Sequence, residues 1–153
     1  MVSASSPGPG LERWIEEGRA TVLDIADMLG VSTDSYTSNP VKLVPYLQNY
    51  VSRLPLSDFE QSDWVTLHSD LLSYVADFLI RIHGARWVVV EDLAMPGGYR
   101  YVIEATGREG EVRRVDPADI LANELKESPV EISRLLASAE LTLQLVPHIA
   151  EDR

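Results

Sequence analysis

The sequence predicts an α+β fold: helices, then a three-stranded antiparallel meander, then two C-terminal helices. Three observations predict it. Apolar side chains recur at helical spacing as far as Ile82. The pattern then changes to β-branched and aromatic runs separated by glycine-containing turns. Two proline-led helix starts follow, Asp116-Pro117 and Ser128-Pro129.

Leu11 to Leu29 reads as the first helix, with Trp14, Ile15, Val22, Ile25, Ala26 and Leu29 near helical spacing and Gly30 as its stop. Gly18 weakens that helix by about 1 kcal/mol relative to alanine. Val31 to Asn39 is polar, precedes Pro40 and reads as a loop. Val41 to Leu54 is the second helix. Pro45 is tolerated only in a first turn, which sets the start near Val44, and Pro55 ends it.

The third helix carries the clearest pattern. Trp64, Leu67, Leu71, Val75, Phe78 and Ile82 form one stripe, and Asp70, Ser73, Asp77 and Arg81 form an opposite polar face. Ser57 to Glu60 reads as a capping box, Asp63 as the cap of a later start, and Gly84 as the stop. Trp64, Leu71, Val75, Phe78 and Trp87 are expected to be buried together.

Arg86 to Val90 suits a strand. Met95 to Gly98 is a turn, and Tyr99 to Glu104 alternates as a second strand. A turn over Thr106 to Gly110 leads to a short third strand, Glu111 to Val115. Tight turns make the three an antiparallel meander. Asp116 then caps a helix with proline at its first position, and Ile120, Leu121 and Leu125 on its apolar side. Ser128-Pro129-Val130-Glu131 repeats that start for a last helix, carrying Ile132, Leu135, Leu136, Ala139 and Leu143 to about Leu145.

The 153 residues amount to one domain. Residues 1–10 read as a disordered, Pro/Gly-rich leader without the features of a secretory signal, 11–147 as the domain, and 148–153 as a disordered tail. No apolar stretch is long enough for a membrane span. Cysteine is absent, which excludes disulfides, thiolate metal sites and cysteine nucleophiles. Those features point to a cytoplasmic protein.

The 13 basic and 24 acidic residues leave a net charge of −11. Residues 1–80 carry 4 basic and 11 acidic side chains, residues 81–116 carry 6 of each, and residues 117–153 carry 3 and 7. Such a field repels nucleic-acid phosphates and anionic membranes and attracts basic partners.

Residues 20–32, Ala-Thr-Val-Leu-Asp-Ile-Ala-Asp-Met-Leu-Gly-Val-Ser, resemble the first helix and turn of helix-turn-helix regulators of the lac-repressor type. There, alanine permits close helix packing, glycine makes the turn and serine caps the recognition helix. The segment in the recognition position, Thr33 to Asn39, carries no Arg or Lys and one Asp, so it departs from a DNA-reading helix. A second resemblance covers residues 64–130. Leu71 to Arg81, followed by Gly84-Ala85-Arg86-Trp87-Val88, is similar to small bacterial α+β domains of unknown function, which supports the fold and implies no activity.

His68, His83 and His148 lie far apart and form no metal motif, and no phosphate loop, dinucleotide fingerprint or nucleophile elbow is present. No metal, cofactor or catalytic residue is assigned. The function these features suggest is a non-catalytic protein–protein interaction module, an adaptor or immunity-like protein, with an acidic surface facing a basic partner. A homo-oligomer is compatible with this. The alternatives are a degenerate helix-turn-helix transcriptional regulator and an enzyme with an unrecognised carboxylate site. Candidate partner-binding residues are Asp70 and Asp77 on the third helix and Tyr99, Arg100, Tyr101, Arg113 and Arg114 on the meander. The competing reading packs the tyrosines under helices and pairs the arginines with Glu91, Glu104 and Glu111.

Overall fold

The computed structural model describes residues 10–126 and 129–145. The proposed tail, Ser128 and all but Gly10 of the proposed leader lie outside the described residues. The expected α+β architecture is present. Helix α1, Leu11–Met28, runs unbroken through Gly18, and Gly30 turns the chain with a φ of 88°.

The stretch expected as a loop instead holds a short helix, α2, Thr33–Ser38. Ser32 caps it by accepting a hydrogen bond from the Ser35 amide (3.1 Å). Tyr36 anchors it from a fully buried position. Its residues have weak helix propensity, so the cap and the buried ring hold the turn where local preference does not. A 3₁₀ turn, Pro40–Leu43, leads into α3, Val44–Ser52, with Pro45 in the first turn.

Helix α4, Gln61–His83, is the axis of the molecule. Its capping box pairs Glu60 with Asp63 rather than Ser57 with Glu60, because Leu56–Asp58 forms a 3₁₀ turn of its own. Gly84 ends it in the left-handed conformation, φ 70°. Strands β1 (Arg86–Glu91), β2 (Tyr99–Thr106) and β3 (Val112–Val115) form an antiparallel sheet in sequence order, with Trp87 opposite Ile103 and Ile103 opposite Val115.

Helix α5, Pro117–Leu125, starts as expected, with Asp116 accepting from the Ala118 amide (2.9 Å). The last helix, α6, Ile132–Thr142, begins later than Ser128-Pro129 suggests and ends before Leu145. Its start is capped from elsewhere in the chain. The Ile132 amide donates to Gln48 of α3 (2.7 Å) and the Glu131 amide to Glu124 of α5 (2.9 Å).

The core forms around α4, against which α1, α5, α6 and the Pro40–Leu43 turn all pack. From Leu71 to Leu79, only Leu72 escapes full burial. The expected polar face is therefore a correction. Asp77 is only 7% exposed, because α2 lies against it, and it accepts hydrogen bonds from Tyr36 (2.6 Å) and Arg81 (2.8 Å). Tyr74 donates to the Pro40 carbonyl (2.9 Å). These bonds supply the partners that buried polar groups need.

The apolar stripe is corrected at both ends. Trp64 is 37% exposed and meets the ring of Phe59 at 5.0 Å, and Ile82 is exposed. The neighbouring elements bury the helix between Leu67 and Leu79, and its periodic pattern continues past their reach. Among the described residues, no helix is long and apolar enough to cross a membrane.

Phe78, 4% exposed, lies in the buried cluster with Leu71, Val75 and Trp87. Phe78→Ala is expected to cost ~3–5 kcal/mol. Urea denaturation of the two proteins at equal pH checks this, and a loss below about 1 kcal/mol would place the ring outside the core.

Candidate functional site

The seven residues expected at a partner surface do not converge. Asp77 is inside the protein, bound to Tyr36 and Arg81. Asp70 is half-buried on α4, and burial holds its carboxyl above the ordinary carboxylate range. Register places Tyr99 and Tyr101 on one sheet face with Trp87. The α1 residue Trp14 stacks on Tyr101 (4.6 Å, 21°) and meets Trp87 edge-on (5.3 Å, 86°). Tyr99 meets Tyr101 edge-on at 5.5 Å. Burial, aided by a hydrogen bond with Tyr99, pushes the Tyr101 hydroxyl up to about 12.

The arginines are paired within the domain. Arg114 and Arg86 hold the two carboxylate oxygens of buried Glu104, with Arg114 at 2.8 Å. Arg113 pairs with Glu111 (2.6 Å). Arg100 lies between Asp116 (2.9 Å) and Asp92 (3.2 Å), whereas Glu91 forms no ion pair among the described residues. Arg100 and Arg114 occupy the sheet face opposite the tyrosines, and Arg113 shares the tyrosine face. The hydrogen bond from Arg114, reinforced by Arg86, holds the Glu104 carboxyl below the ordinary range despite its burial.

A different place does converge. A groove of about 350 Å³ opens between α1 and α4 beside β1. Its size falls within the ~300–1,000 Å³ of small-ligand clefts. Trp14 and Trp87 form two walls whose planes stand 86° apart. Small side chains form the base: Gly18 and Thr21 from α1, Ser69 and Ser73 from α4. Glu17 and His68 complete the lining with Leu72. Among the described residues, no lysine or arginine lines the groove, and Glu17 is its one carboxylate.

The local sequence explains the opening. Residues 14, 18 and 21 share the α1 face that meets α4, as do 69 and 73 on the facing side of α4. Further along α1, the contact is filled by Val22, Ile25 and Ala26, all buried. At the groove the same stripe carries glycine, threonine and serine, which cannot fill the space between two helices. The Trp14 indole N–H is buried without a hydrogen-bond partner among the described residues, which is uncommon in folded proteins. Ser73 is 8% exposed, and its hydroxyl makes no hydrogen bond among the described residues. A second small cavity, about 70 Å³, continues past Gly18, Ser73 and Trp87 toward Asp77 and Arg19.

Sequence reasoning missed this groove. Trp14 reads as a core position, and Ser73 as part of a solvated face. The signal was the run of small residues on two helical stripes about fifty positions apart, which means nothing until the helices are known to cross. His83, in contrast, joins α4 to α6 by bonding Glu140 (2.7 Å). No family model, curated protein or solved structure matches the chain.

Two stability outcomes follow. A Cβ at Gly18 would lie 3.9 Å from Ser73 Oγ, an ordinary contact. Gly18→Ala is therefore expected to raise stability by ~0.5–1 kcal/mol through helix propensity, read from thermal or urea unfolding. A loss would mean that the helices cannot accept a methyl group there. The lowered Glu104 pKa sets a pH dependence. Its stabilising contribution is complete above the unfolded-state value, ~4.3, and is lost as pH falls through the lower folded-state value. Glu104→Gln should be less stable at neutral pH and should flatten the stability–pH curve in that acid window. An unchanged acid slope would remove Glu104 from the account.

Proposed function

We propose that the protein is a non-catalytic binding module for a basic protein partner, docked on the outer side of α1 and α2. One observation carries this reading. Glu12, Glu16, Asp24, Asp27 and Asp34 are exposed, and none forms an ion pair among the described residues. On α1 these carboxylates spread over about 22 Å of helix, at 1.5 Å per residue. A charge row of that length suits a protein face better than a small ligand, since a typical partner covers ~800 Å².

The internal pairing of Arg81, Arg86, Arg114 and Arg134 supports the same reading. Those cations are engaged with Asp77, Glu104 and Glu124 and do not balance the α1–α2 carboxylates. Exposed charges of one sign accelerate encounter with a complementary surface, and salt weakens the effect.

The test is capture from native lysate, followed by mass-spectrometric identification, using the wild type and a Glu16→Lys/Asp24→Lys variant. The expected result is a basic protein retained by the wild type and lost with the variant. Its measured association rate should fall by about ten-fold or more between 0.1 M and 1 M salt. A captured protein whose retention and association rate ignore both changes would overturn the proposal, as would capture of nothing above the control.

A further inference from the structure

We infer that the α1–α4 groove receives a lysine or arginine side chain from the basic partner, resting on the function proposed above. The groove offers what an organic cation needs and little that other ligands need. Two indoles stand at right angles as its walls. Tryptophan is the strongest aromatic partner for a cation, because its π face carries partial negative charge. The indoles are also held in place, Trp14 by stacking on Tyr101 and Trp87 by its burial in the core.

The charge lining agrees. Among the described residues, Glu17 contributes the groove's one carboxylate, and no lysine or arginine lines the groove to oppose a cation. Glu17 already meets Arg13 at 2.7 Å, but both side chains are largely exposed and four residues apart on one helix. An exposed pair of this kind contributes little, so an incoming cation displaces Arg13 easily. The groove opens on the helix that carries the acidic row, so a segment attracted by that row arrives beside it.

The size and polarity agree as well. A volume of about 350 Å³ exceeds what a simple inorganic ion needs and accepts a long side chain with part of its backbone. Ser73 has a hydroxyl free to bond a main-chain or ammonium group of the ligand. A basic side chain brings both parts: an apolar stem for the indole walls and a charged head for Glu17.

The tryptophans supply the experiment. Trp64 does not line the groove, so the three indole N–H signals in a ¹H–¹⁵N spectrum comprise two reporters, Trp14 and Trp87, and one control. The labelled full chain is titrated with acetyl-Gly-Lys-Gly-amide, its arginine counterpart, the Nε-acetyl-lysine form and n-butylammonium. The inference expects the lysine or arginine peptide to shift Trp14 and Trp87 but not Trp64. Neutralisation by acetylation should weaken binding about ten-fold or more. Ser69→Leu, an exposed position that narrows the groove, should remove the shifts while leaving the thermal unfolding midpoint near the wild-type value. If that variant unfolds, Thr21→Leu, which adds bulk to the lining from α1, serves the same purpose.

Stationary Trp14 and Trp87 signals would overturn the inference, as would equal shifts with the acetylated peptide, which would assign the groove to apolar ligands. A response to n-butylammonium without one to either peptide would assign it to a free amine and also overturn the partner side chain. Shifts confined to the amides around Glu16 and Asp24 would remove the groove and leave the acidic docking face standing. Failure of capture in the lysate experiment, with the indole shifts intact, would do the reverse.

Discussion

The buried middle of α4 is the constraint from which the rest of the architecture follows. Between Leu71 and Leu79 this helix has almost no solvent side. A helix in that position must find partners for the charged groups it buries, because an unpaired buried charge costs several kcal/mol. Asp77 is the severest case. Its carboxylate is held by Tyr36 from α2 and by Arg81 one turn along its own helix. Burial, followed by the bond to Asp77, keeps the Tyr36 hydroxyl protonated far beyond its ordinary range. The short α2 is thus fixed by an interaction 41 positions away, and the chain between α1 and α3 has a defined path because of it.

That path determines where α1 lies. Val22, Ile25 and Ala26 pack into the core near α2, so this end of the α1–α4 contact is closed. At the other end Trp14 reaches the sheet and stacks on Tyr101. Large contacts at both ends hold the helices at a set separation, and the small residues between them cannot close the gap. The groove is therefore a consequence of rigid packing on either side of Gly18 and Ser73. An interior optimised for stability alone would fill such a space, since close packing is the rule and voids are costly.

Periodicity made much of this fold legible, because α4, the meander and α5 each have strong local signals. Gly84, Asp116-Pro117 and the alternation from Tyr99 to Glu104 depend on neighbours within a few residues. What stayed hidden depends on contacts between distant segments. Ser73 and Asp77 read as an outward polar face because nothing local says that α1 and α2 lie over them. The start of α6 was misplaced because its amides are satisfied by Gln48 and Glu124, while Ser128-Pro129 offers a plausible local cap. Of the candidate site, the arginines and tyrosines were visible as residue types, but their pairing with Glu104, Asp92 and Trp14 follows from register and helix placement. The groove was invisible for the same reason.

The division of carboxylates between inside and outside links stability to the proposed function. Asp77, Glu104 and Glu124 are buried, and each is tolerable only because arginine neutralises it. Removing one partner from such a pair leaves an uncompensated charge, so these arginines are committed to the fold. A chain with 13 basic and 24 acidic residues has few cations to commit. Using Arg81, Arg86, Arg114 and Arg134 for the interior leaves Arg13 and Arg19 as the basic residues of α1 and α2, against six acidic ones. The acidic face is thus strengthened by the same ion pairs that hold the sheet and the C-terminal helices. A change that weakens an interior pair frees an arginine as well as destabilising the fold, so interior stability and surface charge are coupled through a small set of guanidinium groups.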